Sequence, residues 1–258
     1  MRILAFLCLA LVGCERVASS LPARSRRAVP RVSATVLSYR TTILPKKQGV
    51  LHRVMIADQK GRLGDEVDQW RLFDFAERTV TFVDDVAKTY RTEPIASLMR
   101  TRRALVARPL PLGVPAAQLF VPGVTRRFGA FEAEQFLIRA GSYQREIWLS
   151  TEGIAPVDFF AMMLSTDAIS EPNAAMLRAV YPRLVREKGF PVLDRTDLPF
   201  DGEAYVVEKK LEKIETISVP AEWFEIPRGY TNEGVTGSAA GRRPASSLPP
   251  DRKTPAME

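Results

Sequence analysis

Cysteine is almost missing from this chain: 258 residues hold two, Cys8 and Cys14, and both fall within the first fourteen. Everything after them can form neither an internal disulfide nor a thiolate metal site. Histidine is scarcer still. His52 is the single one, so a His-based triad or metal centre would rest on one residue set between Leu51 and Arg53, in a stretch that reads as a strand. No apolar run reaches the roughly 20 residues that a helix needs to cross a bilayer. A nucleophile elbow, a Walker loop, a dinucleotide fingerprint and a zinc-binding helix are all absent. Two carboxylate pairs, Asp65 with Glu66 and Asp84 with Asp85, lie in or beside turns, where Asp ordinarily caps backbone. The sequence therefore predicts a non-enzymatic protein with no catalytic residue, no metal and no cofactor.

What is present begins at the amino terminus. Arg2 precedes an apolar run from Ile3 to Val12, the charged start and greasy middle of a secretory signal. Leu11, Val12, Gly13 and Cys14 then resemble the lipobox of bacterial lipoproteins, in which the cysteine is acylated and becomes the first mature residue. That resemblance implies lipidation at Cys14 and a site on the periplasmic face of a bacterial membrane. Glu15, rather than Asp, after the cysteine leans toward the outer membrane. The competing reading is an ordinary signal peptide cut near Ala18 to Ser20. One acyl chain holds a protein only marginally, whereas two or three hold it stably, each buried methylene adding about 0.8 kcal/mol.

Hydrophobic residues make up 46% of the chain and charged ones 26%, enough for one core and one domain. A formal net charge of +7 suggests an acidic partner. The envelope location argues against nucleic acid and for anionic lipid, with Arg24, Arg26, Arg27 and Arg31 beside the anchor. Residues 14–34 read as a lipidated cysteine and flexible tether, 35–230 as a single domain, and 231–258 as a disordered tail.

Within the domain, Val36–Leu44 and Val50–Ala57 form a predicted hairpin, and Gln69–Phe75 with Thr79–Asp84 a second. In the latter, Trp70 and Leu72 alternate with Arg71 and Phe73. A short strand over Lys88–Arg91 continues the meander, and Pro94 opens a helix over Ile95–Val106 with Leu98, Met99 and Leu105 on its buried side. Arg108–Gly123 reads as a proline-rich loop with a helical turn at Ala116–Leu119. Strands follow at Thr125–Arg139, with a bulge or bend at Gly129, and at Tyr143–Ser150. A short helix at Val157–Leu164 has scarcely a polar face, and a longer one at Asn173–Lys188 is kinked by Pro182 and stopped by Gly189. Strands at Phe190–Thr196, Ala204–Leu211 and Glu212–Ser218 complete the series.

The segments Arg71–Tyr90, Tyr143–Gly153, Lys188–Pro191 and Val219–Tyr230 together resemble an uncharacterised domain family of bacterial envelope proteins. They carry a D-x-x-K-T-Y element at Asp85–Tyr90, a central Trp148 and a closing Gly-Tyr. More remotely, a strand meander with helices between strands and a lipobox is similar to the lipoprotein-localisation carrier (LolA/LolB-like) superfamily. That resemblance implies an α+β fold: a curved antiparallel β-sheet, a half-barrel, with helices covering its concave face. The function it implies is binding or carriage of a lipid or other apolar ligand. On that reading Trp70, Phe82, Phe136, Trp148, Phe159, Met162 and Met163 line one continuous cavity. The alternative is an envelope scaffold with a filled core that docks a partner protein.

Overall fold

A computed structural model of the protein describes residues 29–44, 48–64, 68–107, 109–110, 112–166, 175–200 and 203–234. The expected signal, Cys14 and most of the tether lie outside these residues, as do Asp65, Glu66 and the tail beyond 234. None of the described helices is long and apolar enough to cross a membrane.

Strands take up more than half of the described residues and build one open sheet. An N-terminal meander runs through β1 (Arg31–Leu44), β2 (Gln48–Ala57), β3 (Lys60–Leu63), β4 (Gln69–Asp74), β5 (Thr79–Asp84) and β6 (Thr89–Pro94). Helix α1 (Ile95–Val106) follows, then β7 (Gln118–Phe120), β8 (Thr125–Phe128), β9 (Phe131–Ala140) and β10 (Tyr143–Ser150). Helix α2 (Phe159–Thr166), a 3-10 turn at Leu177–Ala179 and the short α3 (Tyr181–Leu184) separate β10 from β11 (Phe190–Phe200). The long β12 (Glu203–Pro220) leads through a further 3-10 turn to β13 (Thr231–Asn232).

The strand order is β13-β6-β5-β4-β3-β2-β1-β12-β11-β10-β9-β7, with β8 also paired to β9. Two meanders therefore meet at one seam, where β1 runs antiparallel to β12 from Arg31 opposite Pro220 to Leu44 opposite Val206. Laid flat, β4 and β11 would stand five strand spacings apart, about 24 Å. Helix α2, about 12 Å long, nevertheless touches β11 at one side. On the other, Phe159 packs 6.4 Å from the Phe75 ring and Asp158, just before the helix, pairs with Arg78. The sheet curls to bring both sides to it.

Every residue of α2 is buried, because the helix serves two cores. Phe159, Met162 and Met163 join the principal cluster with Leu37, Tyr39, Phe73 and Trp148. Phe160 and Leu164 join a second with Phe136, Ile138, Leu177 and Leu184. A helix with apolar neighbours on both sides needs no polar face.

Several expectations are corrected. Strand β1 begins at Arg31 inside the expected tether, and Ala34 there is fully buried. The helical turn at Ala116–Leu119 is instead strand β7, paired with β9. The single strand over Thr125–Arg139 is a hairpin that reverses at Gly129, whose φ of 61° suits glycine. The long helix from Asn173 breaks into a 3-10 turn and α3, since Pro182 withdraws a backbone donor and sits in the first turn of α3. Its apolar stripe of Met176, Leu177, Val180, Leu184 and Val185 is buried all the same. Ala204–Leu211 and Glu212–Ser218 are one strand. Ser38 faces Lys213 and Tyr39 faces Leu211, so Glu212 is the extra residue of a bulge at the expected break. Finally, Thr231 and Asn232, within the expected disorder, pair in parallel with Thr89 and Tyr90.

Candidate functional site: a cleft with apolar floor and basic flanks

Strand β3 is four residues long and pairs with β2 only from Val54 to Ala57. The outer half of β2, from Gln48 to Arg53, thus has a strand neighbour on the β1 side alone. Where β2 outruns β3 the sheet leaves a notch, and a cleft of about 690 Å³ occupies it.

One wall is a cross-strand row. Leu63 faces Arg71, Arg71 faces Phe82 and Phe82 faces Arg91 across β3, β4, β5 and β6. Partners in register share a side of the sheet, so the row is continuous. The Arg91 guanidinium lies 4.6 Å and that of Arg71 5.8 Å from the centre of the Phe82 ring, which places the ring between two cations. Arg91 also pairs with Glu93 at 3.0 Å. The other wall comes from the seam, where Thr41, Lys209 and the exposed His52 line the cleft, and α2 contributes Met163. Asp84 and Glu233 stand among the lining residues as acidic groups. The result is an apolar strip of Leu63, Phe82 and Met163 flanked by cations, suited to an acyl or aromatic body with an acidic head.

A polar latch explains the motif at Asp85–Tyr90. The Trp70 indole Nε1–H donates to Asp85 Oδ2 at 3.0 Å and the Tyr230 hydroxyl to Asp85 Oδ1 at 2.5 Å. Lys88 Nζ donates to that hydroxyl at 3.0 Å, and this hydrogen bond holds the ammonium above its ordinary pKa. The Arg62 guanidinium stacks 3.9 Å from the centre of the Trp70 ring. Backbone bonds from Thr231 N–H to Lys88 O and from Glu233 N–H to Tyr90 O complete the attachment of β13. Asp84 caps its own turn, accepting from the N–H groups of Val86 and Ala87. Asp84 and Asp85 thus have structural partners, and the described residues hold no cluster of three or more metal-ligating groups.

The seven residues expected to line one cavity are distributed. Trp148, Phe159, Met162 and Met163 belong to the principal cluster, with Phe82 packed against it. Phe136 belongs to the second cluster, and Trp70 to a small third one with Leu72 and Val83. Of the seven, Trp70, Phe82 and Met163 line the cleft; the remaining four do not. Sequence reasoning missed Arg71, Arg91 and Lys209. The available signal was Arg71 itself, an arginine alternating onto the side of its strand that carries Phe73.

No protein-family model and no curated protein matches the chain. Among solved structures, two crystal forms of PNGF-II are each similar over 78% of this chain at 8% identity and a TM-score of 0.41. The chain spans 31% of the length of PNGF-II. A domain from Vibrio parahaemolyticus, named for outer-membrane lipoprotein sorting, is similar over 71% of this chain and 85% of its own, at 9% identity and a TM-score of 0.18. With identities and scores this low, the functional reading rests on the cleft's own residues.

Proposed function

We propose that the protein is a lipid-anchored envelope protein that binds an amphiphile with an acidic head in the cleft beside β3, Cys14 supplying the anchor. On this reading the curled sheet is a half-barrel of the lipoprotein-carrier kind, held on the periplasmic face of the outer membrane. The observation that supports it is the Arg71–Phe82–Arg91 row beside Leu63 and Met163. The cleft volume of about 690 Å³ falls among those of small-ligand sites, about 300–1,000 Å³. An acyl chain removed from water along the apolar strip contributes about 0.8 kcal/mol per methylene. Each charge-assisted contact to its head adds about 1.5–3 kcal/mol.

The test uses full-length protein and its Cys14→Ser variant expressed in a bacterium. The Cys14→Ser protein is expected in the soluble fraction after a high-salt wash, and organic extraction of it should release an acidic amphiphile detectable by mass spectrometry. Replacing Arg71 and Arg91 together by Ala should weaken binding of a fluorescent fatty acid by ten-fold or more. Extracts without any such species, together with unchanged binding by the double variant, would discard the carrier reading. One observation favours a second reading, a scaffold that docks a protein: α2 is buried over its whole length, so the interior between the wings is filled.

A further inference from the structure

Beyond the cleft, the end of the sheet that carries the β1–β2 turn is apolar on both sides. Ile43, Leu44, Val50 and Leu51 are 39%, 38%, 55% and 42% exposed. Ile43 faces Val207 across the seam, and Val50 faces Thr41, so these lie on one side of the sheet with Thr41. Leu44 faces Val206, and Leu51 faces Arg40, so these lie on the other. A solvated sheet end ordinarily shows at least one polar side. Here β3 stops short opposite Val54, so the outer half of β2 has no strand neighbour on that side, and these four side chains remain exposed.

Inward of Ile43 and Leu44, and level with Val50 and Leu51, the charge changes. Arg40 faces Lys210 on one side of the sheet and Thr41 faces Lys209 on the other, with Arg53 one step further down β2. Glu208 and Glu212 are the acidic groups of β12 in this region, and Glu212 pairs with Arg40. On β1, β2 and β12 four cations therefore stand against two carboxylates, and on the neighbouring β11 Asp194 and Asp197 are paired with Arg145 and Arg195. Leu44 stands four residues of strand, about 13 Å, beyond Arg40, with Ile43 next to it, while Val50 and Leu51 are level with Thr41 and Arg40. That spacing matches an apolar edge sunk about 5–10 Å into a bilayer with cations held at headgroup depth.

We infer that this end of β1, β2 and β12 docks on an anionic phospholipid surface, Ile43 and Leu44 entering the acyl region, Val50 and Leu51 lying at its boundary, and Arg40, Arg53, Lys209 and Lys210 meeting the headgroups. This contact shares only Lys209 with the wall of the cleft and does not depend on the cleft's being filled. It is also separate from any acyl group on Cys14, since β1 places its first residue, Arg31, at the opposite end of a strand about 46 Å long.

The experiment is flotation of full-length Cys14→Ser protein with vesicles of phosphatidylglycerol and phosphatidylethanolamine, against vesicles of phosphatidylcholine alone. Binding is expected on the anionic vesicles, falling steeply between low and physiological salt. Changing Ile43, Leu44, Val50 and Leu51 together to Ser should lower it about ten-fold or more with the thermal midpoint kept. Phe82→Glu, in the cleft, should leave vesicle binding unchanged, which distinguishes failure here from failure of the ligand reading. Leu51→Trp gives a readout that does not depend on the four-fold variant folding, as its fluorescence should shift to the blue on anionic vesicles. Unchanged flotation of the four-fold variant, no blue shift, or a dimer that the four-fold variant dissolves would each overturn the inference.

Discussion

Tyr39, with Tyr181, is among the largest of the fully buried side chains, and its hydroxyl has no hydrogen-bond partner among the described residues. Burial pushes its phenol well above the ordinary tyrosine range. The folded pKa lies above the unfolded value of about 10, so the native protein keeps a proton that the unfolded chain releases at high pH. This group's contribution is undiminished below pH 10, and stability falls as pH rises past it, by up to about 1.4 kcal/mol per pH unit. Tyr39→Phe removes an unpaired buried hydroxyl and is expected to stabilise the protein by about 1 kcal/mol at pH 7. Urea melts at pH 7, 10 and 11 should show that gain widening with pH. A variant less stable than the parent at pH 7 would mean that the hydroxyl is bonded after all. Gly189 marks the opposite constraint: its φ is 99°, and a Cβ there would fall 2.1 Å from the Ser150 carbonyl oxygen. The sequence reads Gly189 as the stop of a helix, but α3 already ends at Leu184, and what requires glycine at 189 is the touching backbone of β10.

At the level of elements, legibility followed period and failed where pairing over distance decided. The β4–β5 hairpin and β10 were readable because apolar and polar residues alternate within them. Helix α1 was readable from Pro94 onward, the structure giving the same Ile95–Val106 span. Strand β7, by contrast, lies in a proline-rich stretch and exists because β9 offers Leu137 to Arg139 as partners. Arg31–Ala34 looks like linker by composition and becomes strand because Ile217–Pro220 pairs with it. The apolar strip of the cleft was half visible, through Phe82 and Met163. Its cations were not, since they meet only when four strands fall into register.

The latch around Asp85 carries its own prediction. Asp85→Ala leaves the Trp70 indole N–H and the Tyr230 hydroxyl without their acceptor, at a cost of about 2–3 kcal/mol. The loss should be felt first at β13, because only two residues of it pair with β6. Hydrogen exchange should quicken at least ten-fold at the amides of Thr231 and Glu233 while those of α2 are unchanged. Equal acceleration in both places would show that the latch is not a local fastening.

Across the whole molecule, α2 ties together what the strand order keeps apart. Phe159 packs into one core and its chain neighbour Phe160 into the other, so neither core can open without exposing one side of that helix. Unfolding is therefore expected to be a single transition, with far-UV circular dichroism and tryptophan fluorescence giving the same midpoint. Trp70 and Trp148 sit in separate clusters, so fluorescence samples both wings. Two separated midpoints would mean that the wings melt independently.

The seam between β1 and β12 sets a timetable for assembly. Arg31 and Ser218, hydrogen-bonded across it, are 187 positions apart. A ribosome that has made β1 through β11 has made two meanders not yet hydrogen-bonded to each other, and the central edge of each stays open to any other strand nearby. Joining the two waits for the eighteen residues of β12 to emerge, so during synthesis the unfinished chain must be kept from pairing with its neighbours.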